Sequence, residues 1–281
     1  MEIISGPAEI HEILKRYTSQ GRTIGFVPTM GALHEGHLCL MRKARTENDI
    51  VAASIFVNPI QFGQNEDFNR YPRDIEGDSA KLKAEGVDIL FLPEARAMYP
   101  SGFTSAVEVK GLSQKLCGQF RPGHFTGVAT VVCKLLNIVS PTRAYFGQKD
   151  FQQTVVIRRM VEDLNMDAAI VTVPTMREPD GLAMSSRNAY LAPEERKAAV
   201  ALYRALDAAS RMIKSGEALS AGVVRLMHDI LRMDHLTEIQ YAGVYDPESL
   251  DEVSEIRGRC LLAIAVKIGR TRLIDNMIVE P

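Results

Sequence analysis

The chain has little of what would fix its surroundings outright. Its four cysteines, Cys39, Cys117, Cys133 and Cys260, are widely scattered and form no CxxC pair. That disfavours a disulfide framework or a structural zinc and fits the reduced thiols of a cytosolic protein. Long apolar runs are missing too: the longest, residues 260–266, falls far short of a bilayer span. Residues 1–10 have neither the basic start nor the apolar stretch of a signal peptide. Neither sign of charge dominates, with Lys+Arg 33 against Asp+Glu 35 and a net charge of -2. Bulk adhesion to nucleic acid or anionic lipid is therefore not expected, and any bound anion needs a local cluster of donors. There is no internal repeat and no low-complexity tract.

What is present is ordinary globular composition, 46% hydrophobic and 24% charged over 281 residues. That suits one large domain or two of unequal size. Apolar runs at 23–27, 50–57, 87–92, 143–146 and 168–173 read as strands. Helical patterns at 37–48, 74–85, 125–138 and 149–164 separate them. Strand and helix in alternation imply parallel pairing with right-handed crossovers, an α/β, Rossmann-like doubly wound sheet over residues 1–175. From 176 to 281 the pattern changes to a polar loop (177–188), a long helix (193–214), a second helix (220–233) and strands at 239–244, 261–267 and 271–278. The expectation is a smaller α+β C-terminal domain covering the active site.

The loop after the first of these strands carries the densest chemistry: Pro28, Thr29, Met30, Gly31, Ala32, Leu33, His34, Glu35, Gly36 and His37. In an open α/β sheet it lies at the carboxyl edge, where ligands bind, and the following helix aims its positive end at the crevice. His34 and His37, three apart, share one helical face. Two imidazoles beside a helix N-terminus suit phosphate; a capping role is the plainer alternative. Zinc is not expected, because further ligands at suitable spacing are lacking. A dinucleotide-dependent dehydrogenase is disfavoured by the absence of G-x-G-x-x-G from this loop.

The segment His34-Glu35-Gly36-His37 resembles the HxGH signature of the nucleotidyltransferase superfamily that includes class I aminoacyl-tRNA synthetases. Four more blocks follow in order: Phe56-Val57-Asn58-Pro59-Ile60-Gln61-Phe62, Tyr71-Pro72-Arg73, Tyr145-Phe146-Gly147-Gln148-Lys149-Asp150-Phe151-Gln152-Gln153 and Asp180-Gly181-Leu182-Ala183-Met184-Ser185-Ser186-Arg187-Asn188. Together the five resemble the pantothenate synthetases, or pantoate–β-alanine ligases. Gln148 stands where that family usually has Glu, while the flanking Gly147, Lys149 and Asp150 of the same Gly-x-Lys-Asp block persist.

The resemblance implies an ATP-dependent ligase that joins (R)-pantoate to β-alanine through a pantoyl adenylate, releasing AMP and pyrophosphate in the route to coenzyme A. It implies a cytoplasmic homodimer that uses Mg2+ with ATP. His34 and His37 then contact the ATP phosphates, with His37 as proton donor. Lys149 and Arg187 add positive charge; without its flanking block Lys149 would read instead as a solvated surface lysine. Asp150 either orients the nucleotide or caps the helix. Met184, Ser185, Ser186 and Arg187 resemble the second superfamily signature, the counterpart of a KMSKS loop, though a plain interdomain linker would also use such residues. Met30, Gly31, Ala32, Leu33, Glu35, Gly36, Gly147, Gln148 and Met176 complete the implied nucleotide contacts. Gln61 and Gln153 are the implied pantoate ligands, with Gln61 also near β-alanine. Neutral amides recognise hydroxyls and a carboxylate without the tight ion pair that would blunt its nucleophilicity. Asp74, Glu76 and Asp78 form no evident metal cage and read as a solvated acidic first helical turn. The competing functions are an adenylyltransferase with a phosphorylated acceptor and a nucleotide-binding module without turnover.

Overall fold

The structure, a computed structural model, describes residues 1–64 and 66–281. The chain forms two compact units. The first comprises Met1–Gln114, Arg121–Gln148 and Gln153–Pro174, and the second Lys115–Phe120, Lys149–Gln152 and Thr175–Pro281. No helix among the described residues is long and apolar enough to cross a membrane.

In chain order the first unit opens with β1 (Glu2–Ile4), α1 (Pro7–Ser19), β2 (Ile24–Thr29), α2 (Glu35–Glu47) and β3 (Ile50–Ile55). It continues with α3 (Ile75–Ala84), β4 (Ile89–Phe91) and α4 (Ala95–Met98). After α5 (Cys117–Phe120), which belongs to the second unit, come α6 (His124–Val139), β5 (Arg143–Gly147), α7 (Phe151–Asp163) and β6 (Ala169–Val173). The six strands pair in parallel in the order β1-β4-β3-β2-β5-β6. β3 is buried along its whole length, which is why it reads as an unbroken apolar run rather than an alternating one. Val27, Met41, Ala44, Val51, Leu82 and Leu90 build one core layer beneath α2 and α3.

Two elements lay outside the sequence reading. α1 starts at Pro7, which pre-sets the first helical φ, and buries Ile10 and Leu14 one turn apart. β1 is only three residues long and extends the sheet beyond β4. The helix expected from residue 149 begins as a 3-10 turn, Gln148–Asp150, before α7.

The sheet order reverses between β2 and β5, the switch point at which such folds bind ligands. β2 stays paired with β3 as far as Thr29↔Ile55, and β5 stays paired with β6 as far as Gly147↔Val173. The two central strands pair with each other only at Gly25↔Arg143 and Phe26↔Ala144. Their carboxyl ends therefore part, opening the sheet where the residue 28–37 loop begins.

In the second unit α8 (Pro193–Ala199), α9 (Ala201–Lys214) and α10 (Ser220–Arg232) pack on an antiparallel sheet of β7 (Thr237–Tyr245), β8 (Cys260–Ile268) and β9 (Thr271–Val279). Leu202, Leu206, Ala209 and Ile213 form the helical stripe that meets Leu262, Ile264 and Val266. The long helix expected over 193–214 is two helices. At Val200 the N–H bonds to Lys197, three residues back, and the run of four-residue helical bonds is interrupted there.

Candidate active site

His34 is the N-cap of α2. Its Nδ1 accepts from the Gly36 N–H at 3.1 Å, and the His37 Nδ1 accepts from the His34 N–H at 3.4 Å. The two side chains thus close a capping box made of imidazoles, their rings 4.1 Å apart. Because each Nδ1 is an acceptor here, the proton of each neutral ring sits on Nε2. Capping therefore engages Nδ1 of each ring, and the two roles expected from the sequence do not exclude one another. Glu35 turns elsewhere, into an ion pair with Arg42 that holds its carboxyl below the usual carboxylate range.

The turn before His34 is shaped by a residue the sequence reading left in solvent. Asp78 in α3 is buried, 1% exposed, and its carboxylate accepts from the N–H groups of Ala32 and Leu33 at 2.7 and 2.8 Å. Lys81, one helical turn on, donates to the Leu33 carbonyl at 2.8 Å. So only part of the expected acidic first turn is solvated; Asp74 caps α3 at Gly77, while Asp78 is a structural ligand of the loop. Gly31 and Ala32 both have positive φ, 82° and 52°. A Cβ on Gly31 would sit 3.0 Å from the Asp78 carboxylate, so the close approach also needs glycine there.

Beside this turn stands the Gln61 amide. Tyr99 donates to Asn58 Oδ1 at 2.7 Å, so the Asn58 amide nitrogen faces Gln61 Oε1 at 3.0 Å and the Gly127 carbonyl at 3.1 Å. Burial pushes the Tyr99 hydroxyl well up, which keeps it a donor. With Oε1 occupied by Asn58, Gln61 presents its Nε2 donors, and these reach Met30 Sδ at 3.1 Å. The backbone is held as well. His124 Nδ1 meets the Gln61 carbonyl at 2.9 Å, and Arg121 meets His124 Nε2 at 2.9 Å while clamping Glu66 with two 2.6 Å bonds. Since arginine only donates, His124 Nε2 accepts and Nδ1–H donates to Gln61. The geometry thus selects a donor-presenting amide in contact with Met30 of the histidine loop.

Gly147 and Gln148 end β5 at the parted edge of the sheet, and Gln153 lies half-buried in the first turns of α7. A Cβ on Gly147 would meet nothing within 4 Å, so protein packing alone does not demand glycine there.

In the second unit Lys149 is 20% exposed along its side chain, with Nζ 3.9 Å from Asp150. It is not a solvated surface lysine. Met176 and Met184 are joined by a backbone bond, Met184 N–H to Met176 O at 3.0 Å. Buried Leu182 and Ala183 anchor the stretch that leads to Ser185, which caps a 3-10 turn, Ser186–Tyr190, through the Arg187 N–H. The segment is an ordered turn rather than a plain linker. Among the described residues no three His, Cys, Asp or Glu side chains are grouped to hold a metal ion. The four cysteines are free thiols, Cys117 and Cys260 buried and the other two half-buried.

A sequence profile described as pantoate-beta-alanine ligase matches residues 2–278. The chain belongs to that family. It is 59% identical over 281 residues to the pantothenate synthetase of Thermodesulfovibrio yellowstonii, with all of both chains covered. With the crystal structure of the pantothenate synthetase from Thermus thermophilus it shares 48% identity and a TM-score of 0.96 over both full chains. A pantoate-beta-alanine ligase from Francisella tularensis, 36% identical with a TM-score of 0.80 over 99% of this chain and 97% of that one, was crystallised with beta-gamma ATP and beta-alanine. The α/β fold with its smaller antiparallel sheet is the family's fold.

Asp78, Tyr99, Arg121 and His124 escaped the sequence reading. Asp78 looks like any first-turn acid, and the others lie outside the motif blocks. Only the 121–124 stretch carries a local signal, a cation and an imidazole three apart at the start of an apolar helix.

Proposed function

We propose that this chain condenses (R)-pantoate with β-alanine, consuming ATP and releasing AMP and pyrophosphate by way of a pantoyl adenylate. The observation that carries the reading is one loop that holds the imidazole pair at the N-terminus of α2 and, through Met30, touches the oriented Gln61 amide. A carboxylate at neutral pH resists an amine, so it must first be made an electrophile. Its attack on the α-phosphorus of ATP brings an anion to a polyanion, and the barrier falls through positioning and positive charge.

The roles follow that demand. His34 and His37 donate from Nε2 to the phosphates, and the positive end of α2 adds to their pull. His37 stays a hydrogen-bond donor through its Nε2–H as charge builds on the departing pyrophosphate. Lys149 and Arg187 supply fixed positive charge, and Ser185 and Ser186 supply hydroxyl donors. Met30, Gly31 and Met176 contact the nucleotide, with Gly147 and Gln148 at the parted strand end. The N–H groups of Ala32 and Leu33 are taken by Asp78, so those residues shape the turn rather than donate to phosphate. Gln61 and Gln153 bind pantoate, and Gln61 later meets β-alanine. Mg2+ enters with ATP, held chiefly by phosphate oxygens and water, which asks for no dedicated protein cage. The working form is a cytoplasmic homodimer.

Two exchange experiments test this. Pyrophosphate should exchange into ATP only when pantoate is present, and AMP should accumulate only when β-alanine is added. An adenylyltransferase would instead require a phosphorylated acceptor and leave AMP covalently joined to it. His37→Ala should slow single-turnover adenylate formation roughly 10²–10³-fold, the cost of one transition-state donor. A normal rate would remove His37 from the phosphates.

A further inference from the structure

We infer that Asp275 and Asn276 on β9 are positioning residues for adenylate formation, holding the Lys149 backbone and the base of the 184–187 segment to one strand. The inference rests on the proposed assignment of Lys149 and Arg187 to the phosphates. Asn276 Nδ2 donates to the Lys149 carbonyl at 2.8 Å. Its neighbour Asp275, 1% exposed, receives two bonds from Arg177, Nη1 at 2.6 Å and Nη2 at 3.0 Å, and a third from the Asn276 N–H at 2.8 Å. Arg177 in turn donates to the Gly181 carbonyl at 3.0 Å and packs its guanidinium 4.7 Å from the Tyr203 ring.

Arg177 stands at the mouth of a small closed hairpin. It is bridged to Ala183, with Glu178 N–H bonded to Leu182 O and Met184 N–H to Met176 O. Fixing Arg177 therefore fixes Met184, and the Ser-Ser-Arg run begins at the next residue. Asp275 and Asn276 are themselves held in register with β8, at Ile264 and Ala263. One rigid stretch of sheet thus reaches Lys149 in one direction and the Arg187 segment in the other.

The chemistry explains why such an anchor matters. An ammonium on a four-carbon stem stabilises a phosphoryl transition state only as well as its backbone is placed, and a misplacement of about 1 Å costs on the order of 100-fold. A buried ion pair is a weak stabiliser, since apolar residues of similar volume often replace it without loss. What the Arg177–Asp275 pair adds over apolar packing is direction: the guanidinium fork fixes the angle between hairpin and strand.

The test is a double-mutant cycle read by single-turnover adenylate formation. Asn276→Ala should lower the rate roughly tenfold, with the thermal midpoint shifted by only a few degrees. In a Lys149→Gln background the same substitution should cost little more, because its effect passes through Lys149. Arg177→Met/Asp275→Leu should melt close to the parent yet form adenylate roughly 100-fold more slowly. An unchanged rate in Asn276→Ala, an equal loss in both backgrounds, or full activity in the apolar double variant would each overturn the inference. A full rate in Lys149→Gln alone would overturn the phosphate assignment and, with it, the link from Asn276; this outcome is read separately from the other three.

Discussion

Asp78 accepts the Leu33 N–H at 2.8 Å, and Lys81 on the same helix donates to the Leu33 carbonyl at 2.8 Å, so α3 grips Leu33 at both its polar backbone groups. A charge 45 residues away in sequence thereby sets the turn that delivers His34 to the end of α2.

Asp78→Ala should destabilise the protein by about 2–4 kcal/mol, since it leaves two backbone donors unpaired beneath a buried surface. It should also lower turnover beyond what partial unfolding explains, because the histidine loop loses its anchor. Denaturant melts paired with active-site-normalised rates check this. An Asp78→Ala protein with parent stability and parent rate would show that the turn holds itself.

Tyr99→Phe removes one hydroxyl and little volume. Without that donor the Asn58 amide loses one of the bonds that orient it, and the donor face of Gln61 is held less firmly. The pantoate requirement should rise roughly five- to tenfold, the worth of one hydrogen bond, while the ATP requirement stays within twofold. Steady-state kinetics with each substrate varied in turn separate the two, and an equal rise in both would take Tyr99 out of the acid pocket.

Much of this was legible in the sequence, and the residues show why the remainder was not. Fully buried strands such as β3 announce themselves through uninterrupted apolar runs, and the His34–His37 loop is marked by its position after a strand. Asp78 is different. Its spacing from Asp74 and Glu76 is that of a solvated helical turn, and only a loop distant in sequence buries it. The same holds for Arg177 and Asp275, 98 positions apart, each unremarkable until the hairpin meets β9. α1 went unread because only Ile10 and Leu14 are buried in it, too sparse a stripe for a periodicity. The break at Val200 depends on a single bond changing from four residues back to three, which no composition signals.

Gly127→Ala probes the same pocket from below. An added Cβ would lie 2.5 Å from the Ile60 carbonyl oxygen and 2.6 Å from Gln61 Cα, both backbone atoms that cannot swing aside. The expected cost is about 1–3 kcal/mol of stability, with pantoate binding weakened more than ATP binding. Calorimetry with each ligand measures the split.

Acid should loosen the Gln61 segment before it unfolds the sheet. Burial alone would raise the Glu66 carboxyl, but Arg121 overrides it and the folded value lies below the ordinary 4.5. A depressed carboxylate contributes stability above its unfolded value and loses it as the pH falls through the folded value. Melting midpoints followed downward from pH 4.5 should therefore drop less steeply in Glu66→Gln than in the parent, and parallel curves would show that the Glu66–Arg121 clamp adds nothing.

The transfer of oxygen from acid to nucleotide reports most directly on adenylation. Pantoate labelled with oxygen-18 in its carboxylate, turned over with ATP and β-alanine, should yield AMP carrying a single labelled oxygen. One labelled oxygen stays in the amide by any route, so unlabelled AMP, with the displaced oxygen found in inorganic phosphate or water, would contradict an acyl-adenylate route.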